Sequence, residues 1–140
     1  MLKQFQTEFT VETEGQGLID ITWEVVRAVA NAEIATGIAH IFIRHTSASL
    51  LIQENADPDV QRDFAAFFRR LVPEGDPLFV HMSEGPDDMP AHVRAALTAT
   101  NLSVPVGQGR PLLGTWQGIF LFEHRLAPHR RHVIVHVIGE

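Results

Sequence analysis

Eight histidines and no cysteine stand in these 140 residues, so any transition-metal chemistry here falls to imidazole and carboxylate. Three of the histidines lie where the hydropathy pattern changes. His45 follows the apolar run Ile38–Arg44 and opens the polar run Thr46-Ser47-Ala48-Ser49. His81 closes a short extended piece, Leu78–His81, and enters a loop that runs through Glu84-Gly85-Pro86-Asp87-Asp88. His92 falls in the first turn of a helix predicted over residues 90–99. Element ends on a rigid scaffold are where side chains are presented for chemistry. Three neutral imidazoles with one open position suit a zinc-like ion that polarises water or a phosphoryl oxygen. Each histidine taken singly also fits a hydrogen-bonded structural role, and His40, His132 and His136 read that way inside strands.

The acids Glu54, Asp57, Glu84, Asp87, Asp88 and Glu123 gather in loops or at element ends. Asp57 has a sufficient role as a helix cap before Pro58, and Asp88 has the same role available before Pro90. Glu84 and Glu123 have none, which leaves them as candidates to orient an imidazole, join a metal shell or act as a general base. Arg125, Arg130 and Arg131 form a local basic cluster with His129, His132 and His136. It suits a phosphate-bearing small molecule, or else decorates the exposed face of a terminal strand. Trp116, in Gly114-Thr115-Trp116-Gln117-Gly118, either walls a ring-binding pocket or anchors the core at a sheet corner; the anchor is favoured. No Gly-x-Ser-x-Gly elbow, Walker loop or dinucleotide fingerprint is present.

Eleven basic against seventeen acidic residues give a formal charge of −6, which argues against general nucleic-acid binding. With 45% hydrophobic and 20% charged residues the composition is that of a globular protein, read as one domain over residues 1–140. No apolar run approaches a membrane span, and the first residues lack a signal peptide's hydrophobic block, so a cytoplasmic location is expected. Absence of cysteine excludes a disulfide scaffold, a catalytic thiol and an iron–sulfur cluster.

A two-residue period marks strands over residues 3–11, 38–44 and 50–53, and again over 102–106, 111–113, 118–123 and 132–137. Helices are predicted over 23–35, capped by Asp20 or Thr22 and ended by Gly37, from Pro58 onward, and over 90–99. The first buries Val25, Val26, Val29 and Ala30; the second carries Val60, Phe64, Phe67, Phe68 and Leu71; the third packs Val93, Ala96 and Leu97. Without regular βαβ alternation the class is α+β: largely antiparallel sheet layers with about three helices, and the two termini in one layer.

Four motifs in order, His45-Thr46-Ser47-Ala48-Ser49, Glu54-Asn55-Ala56-Asp57-Pro58, Glu84-Gly85-Pro86-Asp87-Asp88-Met89-Pro90-Ala91-His92 and Leu113-Gly114-Thr115-Trp116-Gln117, resemble the YjbQ family of secondary thiamine-phosphate synthases. The resemblance runs from about Gly17 to Val137. It implies a compact α+β homotrimer with a metal site near the subunit boundary. It further implies that an aminopyrimidine diphosphate is joined to a thiazole phosphate with release of pyrophosphate. His45, His81 and His92 match the family's recurrent histidines, Glu123 its acid, and Arg131 its basic residue before the last strand. The expectation is therefore one divalent ion, zinc or, with a diphosphate substrate, magnesium, on His45, His81 and His92. Glu123 or Glu84 would sit in or beside the shell, and Arg131 on the phosphate. The alternatives are a metal-assisted hydrolase of a small phosphate ester and a non-catalytic trimeric binder of metal or metabolite.

Overall fold

The computed structural model describes all 140 residues. In chain order the elements are β1 (Lys3–Glu12), β2 (Gly17–Asp20), α1 (Thr22–Asn31), β3 (Thr36–Ile43), β4 (Ala48–Glu54), α2 (Pro58–Leu71), α3 (Asp88–Leu97), β5 (Asn101–Gly107), β6 (Arg110–Pro111), β7 (Gln117–Glu123) and β8 (Arg130–Gly139). They build two sheets, β1-β8-β3-β5-β6 and β2-β7-β4, and every pairing is antiparallel. The expected α+β architecture is present, and the terminal strands β1 and β8 lie side by side from Lys3↔Gly139 to Glu12↔Arg130.

Alternation drives the sheets together. In β8, Val133, Val135 and Val137 are buried, as are Ala39, Ile41 and Ile43 in β3. These join Leu50, Ile119, Leu121 and the α1 residues Val25, Ala28 and Val29 in one apolar cluster. Burying each larger aliphatic side chain contributes about 1.5–3 kcal/mol. The strand β7 is buried from Gly118 to Glu123: β2 and β4 cover its edges, Ile119 and Leu121 join the apolar cluster, and Phe122 on the other face meets Phe68 of α2.

Five readings need correction. The helix predicted to reach Ala35 stops at Asn31, where the chain turns through Glu33 at φ 54°. Gly37 does not end that helix; it lies in β3, where a Cβ would sit 2.1 Å from the Ile138 carbonyl oxygen. The buried face of α3 is Asp88, Ala91, Arg94 and Ala95, with Leu97 exposed. The rotation follows from Arg94, whose guanidinium caps the end of α2 by donating to Phe68 O at 3.3 Å and Val72 O at 2.6 Å. Trp116 is 64% exposed and anchors nothing in the core. The segment Leu78–His81, read as extended, is turn and loop, and Gly17–Asp20, to which the sequence assigned no strand, forms β2.

A polar seam crosses this apolar interior. Thr98 Oγ1, Ser49 Oγ and His124 Nε2 are joined at 2.6 and 2.9 Å. Burial, reinforced by the Arg94 charge, lowers the His124 imidazole to about 3. The folded state therefore resists a proton that the unfolded chain accepts near 6.5, so stability is full above that pH and declines as pH falls toward 3.

Two outcomes are expected. Between pH 7 and pH 5 the wild type should lose about 2 kcal/mol of unfolding free energy through His124. Urea unfolding of His124→Gln across that range should lack this component; parallel profiles for the two proteins would refute it. Gly37→Ala should cost about 1–3 kcal/mol, because β3 and β8 must part to admit a methyl group. An unchanged urea midpoint would show that the strands separate freely.

Candidate metal centre

Asp88 and His92 lie four residues apart at the start of α3, a spacing that stacks them on one helical face. His81 arrives from the loop between α2 and α3. Asp88 Oδ2 is 2.7 Å from His81 Nε2 and 3.0 Å from His92 Nε2, and the three donor atoms lie within 4.8 Å of one another. The carboxylate is buried at 6% side-chain exposure, whereas His81 and His92 retain 41% and 31%. The cluster thus has a closed floor and an open side. Beside it, a depression of about 170 Å³ is lined by Phe79, His81, Met82, Pro86 and Met89.

Arg125 holds the floor. Its Nε donates to Asp87 Oδ2 at 2.9 Å, its Nη1 to Asp88 Oδ1 at 2.8 Å, and its Nη2 to the Glu84 carbonyl at 2.9 Å. Asp87 also accepts the Leu126 N–H at 3.0 Å. Burial alone would raise the Asp88 carboxyl, but His81, His92 and Arg125 outweigh it and hold it below the ordinary carboxylate range. The same balance, struck by Arg125 and the Leu126 N–H, lowers Asp87. Both acids are ionised at neutral pH.

The tautomer of His92 is set by its other nitrogen. Nδ1 lies 2.9 Å from the Thr46 carbonyl oxygen, which only accepts, so Nδ1 carries a proton. A neutral His92 then turns the lone pair of Nε2 toward the Asp88 oxygen, and a proton or a cation must lie between them. A carbonyl on the far ring nitrogen is the usual support of a metal-ligating histidine. Two imidazole nitrogens and a carboxylate oxygen suit zinc or another first-row divalent ion, with a further position open to solvent.

Of the residues expected to act together, the structure brings together His81 and His92 and adds Asp88. His45 is elsewhere: its Nε2 accepts the His132 backbone N–H at 2.8 Å, and its Nδ1 faces Arg131 Nη1 at 3.5 Å. Burial, with the Arg131 and His132 charges, lowers its pKa, so it stands as a neutral acceptor. Glu123 is wholly buried at the end of β7 and receives Thr13 Oγ1 at 2.7 Å and Arg131 Nε at 2.8 Å. Burial would raise its pKa, yet Arg131, Thr13 and the Arg125 N–H hold it below the ordinary range. Arg131, expected to face a phosphate, is itself buried and donates from Nη2 to Ser47 Oγ at 2.9 Å as well as to Glu123. The Glu123–Arg131 pair is internal and offers no edge to an anion. Glu84 is exposed on the loop beside the cluster, and its main chain, rather than its carboxylate, meets Arg125.

Sequence reasoning missed Asp88 and Arg125. Asp88 was available through the Asp-x-x-x-His spacing with His92, which its reading as a cap obscured. Arg125 had no local signal, since its partners lie 37 and 38 residues away.

Residues 7–140 match the family described as UPF0047 protein YjbQ-like. A UPF0047 protein of Synechocystis sp. is 51% identical over 138 residues, covering 99% of this chain and 94% of the relative. The UPF0047 protein YjbQ of Escherichia coli O157:H7 is 39% identical over 137 residues, covering 97% and 99%. Among solved structures, a YbjQ-like protein of unknown function from Sulfolobus solfataricus P2 superposes with a TM-score of 0.92 at 28% identity, over the full length of both chains. A hypothetical protein from Aeropyrum pernix K1 gives 0.89 at 29% identity, covering 97% and 99%. With its motifs, its sheet order and its sequence in agreement, the chain belongs to the YjbQ-like UPF0047 family.

Proposed function

We propose that this protein is a metal-dependent enzyme acting on small phosphorylated metabolites, with the ion held by His81, Asp88 and His92. The observation that carries the reading is the His92 tautomer: the Thr46 carbonyl accepts from Nδ1–H and leaves Nε2 aimed at a buried carboxylate. The ion, when bound, would supply a Lewis acid that neutralises charge on a diphosphate or phosphate leaving group. Asp88 and the two imidazoles bind and orient it, while Arg125 fixes the Asp88 carboxylate. Exposed Glu84 is the nearby acid left free for proton transfer. The reaction favoured is the thiamine-phosphate synthase type, in which an aminopyrimidine diphosphate meets a thiazole phosphate and pyrophosphate departs. Hydrolysis of a small phosphate ester is the second reading, and it draws on the same open, three-donor cluster.

A homotrimer accompanies this proposal. Val80 is 93% and Leu78 78% exposed on the loop that delivers His81, an unusual amount of apolar surface for one chain to leave in water. The depression beside His81 is also smaller than the roughly 300–1,000 Å³ of small-molecule sites. Packing of neighbouring copies around this loop would cover the first and enlarge the second.

Purified protein reconstituted with Zn²⁺ should lose one ion per chain in His92→Ala and in Asp88→Ala while the fold is kept. Retention of full metal by both variants would end the proposal. Arg125→Gln should weaken Zn²⁺ binding about 10–100-fold, the range for loss of a support to a metal ligand. Pyrophosphate release that stops on chelation marks the synthase, phosphate release without a condensed product marks the hydrolase, and metal retention with neither marks a binder. Light scattering is expected to give three chains per particle.

A further inference from the structure

Two deeply buried side chains keep a donor that nothing in the chain receives. His124 is 1% exposed and Arg94 2%. Thr98 Oγ1 donates to Ser49 Oγ at 2.6 Å, which leaves the Ser49 proton for His124 Nε2 at 2.9 Å. The His124 proton therefore sits on Nδ1, and Nδ1 has no partner. Arg94 spends Nε and Nη2 on the Phe68 and Val72 carbonyls, and its Nη1 likewise has none. No side-chain nitrogen or oxygen is sealed inside the fold without a partner, so both groups must open onto space.

That space is a cavity of about 10 Å³ between α2, α3 and the end of β7. Arg94 and His124 both line it, and Gln16, Phe68, Arg69 and Phe122 help to close it. The two are close enough that the Arg94 charge is the main influence on the His124 ring after burial. A cavity this small holds one atom-sized guest and excludes phosphate, carboxylates and organic ligands.

The charges around it select an anion. Arg94 bonds only to neutral carbonyls, and the carboxylate that faces it, Glu74, stands 3.8 Å away and is 37% exposed. Glu123 also borders the cavity, but its charge is matched by Arg131. A buried guanidinium without a matched charge is costly, and an anion shared with an imidazole N–H removes that cost. We infer that the cavity is a chloride site, the ion accepting from His124 Nδ1–H and from Arg94 Nη1. Seated there, chloride links the end of α2, the middle of α3 and the end of β7. The site shares no residue with the cluster around Asp88 and stands whether or not that cluster holds a metal.

Crystals grown in bromide give the direct test, because bromide replaces chloride and scatters anomalously. One anomalous peak is expected in the cavity, between His124 Nδ1 and Arg94 Nη1. In solution, the urea midpoint should rise with NaCl and level off, above its value in sodium gluconate of equal ionic strength, since a ligand of the folded state stabilises by mass action. His124→Phe and Arg94→Met should each abolish that difference between the salts. Circular dichroism checks that each variant is folded, and the two wild-type measurements decide the matter if neither is. An empty or water-filled cavity in the bromide crystals overturns the inference. So do wild-type midpoints that coincide in the two salts, and a chloride effect that persists undiminished in a folded variant.

Discussion

Glu123 ends β7 in the small sheet and Arg131 is the second residue of β8 in the large one, so their ion pair ties the two layers together at one corner. Both side chains are nearly inaccessible, and both have further partners: Thr13 and two backbone N–H groups for the acid, Ser47 for the base. A buried pair of this kind adds little net stability over an apolar replacement, because desolvation offsets most of the attraction. Removing one partner is different. It strands a charge in the core at a cost of about 3–5 kcal/mol, so the pair acts as a constraint on which conformations are allowed.

That constraint reaches the His81–Asp88–His92 cluster through the seven residues between the pair. With Glu123 and Arg131 fixed, the intervening loop must fold back over the start of α3, and its first residue in reach, Arg125, lands on Asp87 and Asp88. The Ser47 side of the pair does the same for the other wall. Arg131 grips Ser47, and one residue earlier the Thr46 carbonyl meets His92 Nδ1. Two contacts that decide the state of the cluster, one on the carboxylate and one on the imidazole, are thus both delivered from a single buried ion pair.

The sheets and α2 could be read from the sequence because their determinants are local. Period-two alternation marks β1, β3 and β8, and Asp57 before Pro58 opens α2, its Oδ1 receiving the Asp59 N–H. The same alternation placed Arg131 in the inward parity of Val133, Val135 and Val137, a signal for burial that its charge masked. The phase of α3 was illegible because Arg94 is drawn inward by the Phe68 and Val72 carbonyls at the end of α2. The cluster was half legible. His81 and His92 stood at element ends, but Asp88 resembled an ordinary cap, and only the fold reveals that His45 spends its acceptor nitrogen on the His132 N–H.

The division of Asp88 between its two oxygens explains why a carboxylate suits this position better than another histidine would. Oδ1 receives the Arg125 guanidinium and Oδ2 the two imidazoles, so the charge that Arg125 attracts is the same charge presented to the open side. Arg125, in turn, is held fully charged by Asp87, and its pKa is raised by that contact. One cation on the inner oxygen leaves the pair of acids with one net negative charge, presented on the side where His81 and His92 stand. Without Asp87, Arg125 would compensate Asp88 completely and the floor would be neutral. The doubled acid at the start of α3 therefore has a division of labour: Asp87 balances the arginine, and Asp88, oriented by it, keeps its outer oxygen for the open side of the cluster.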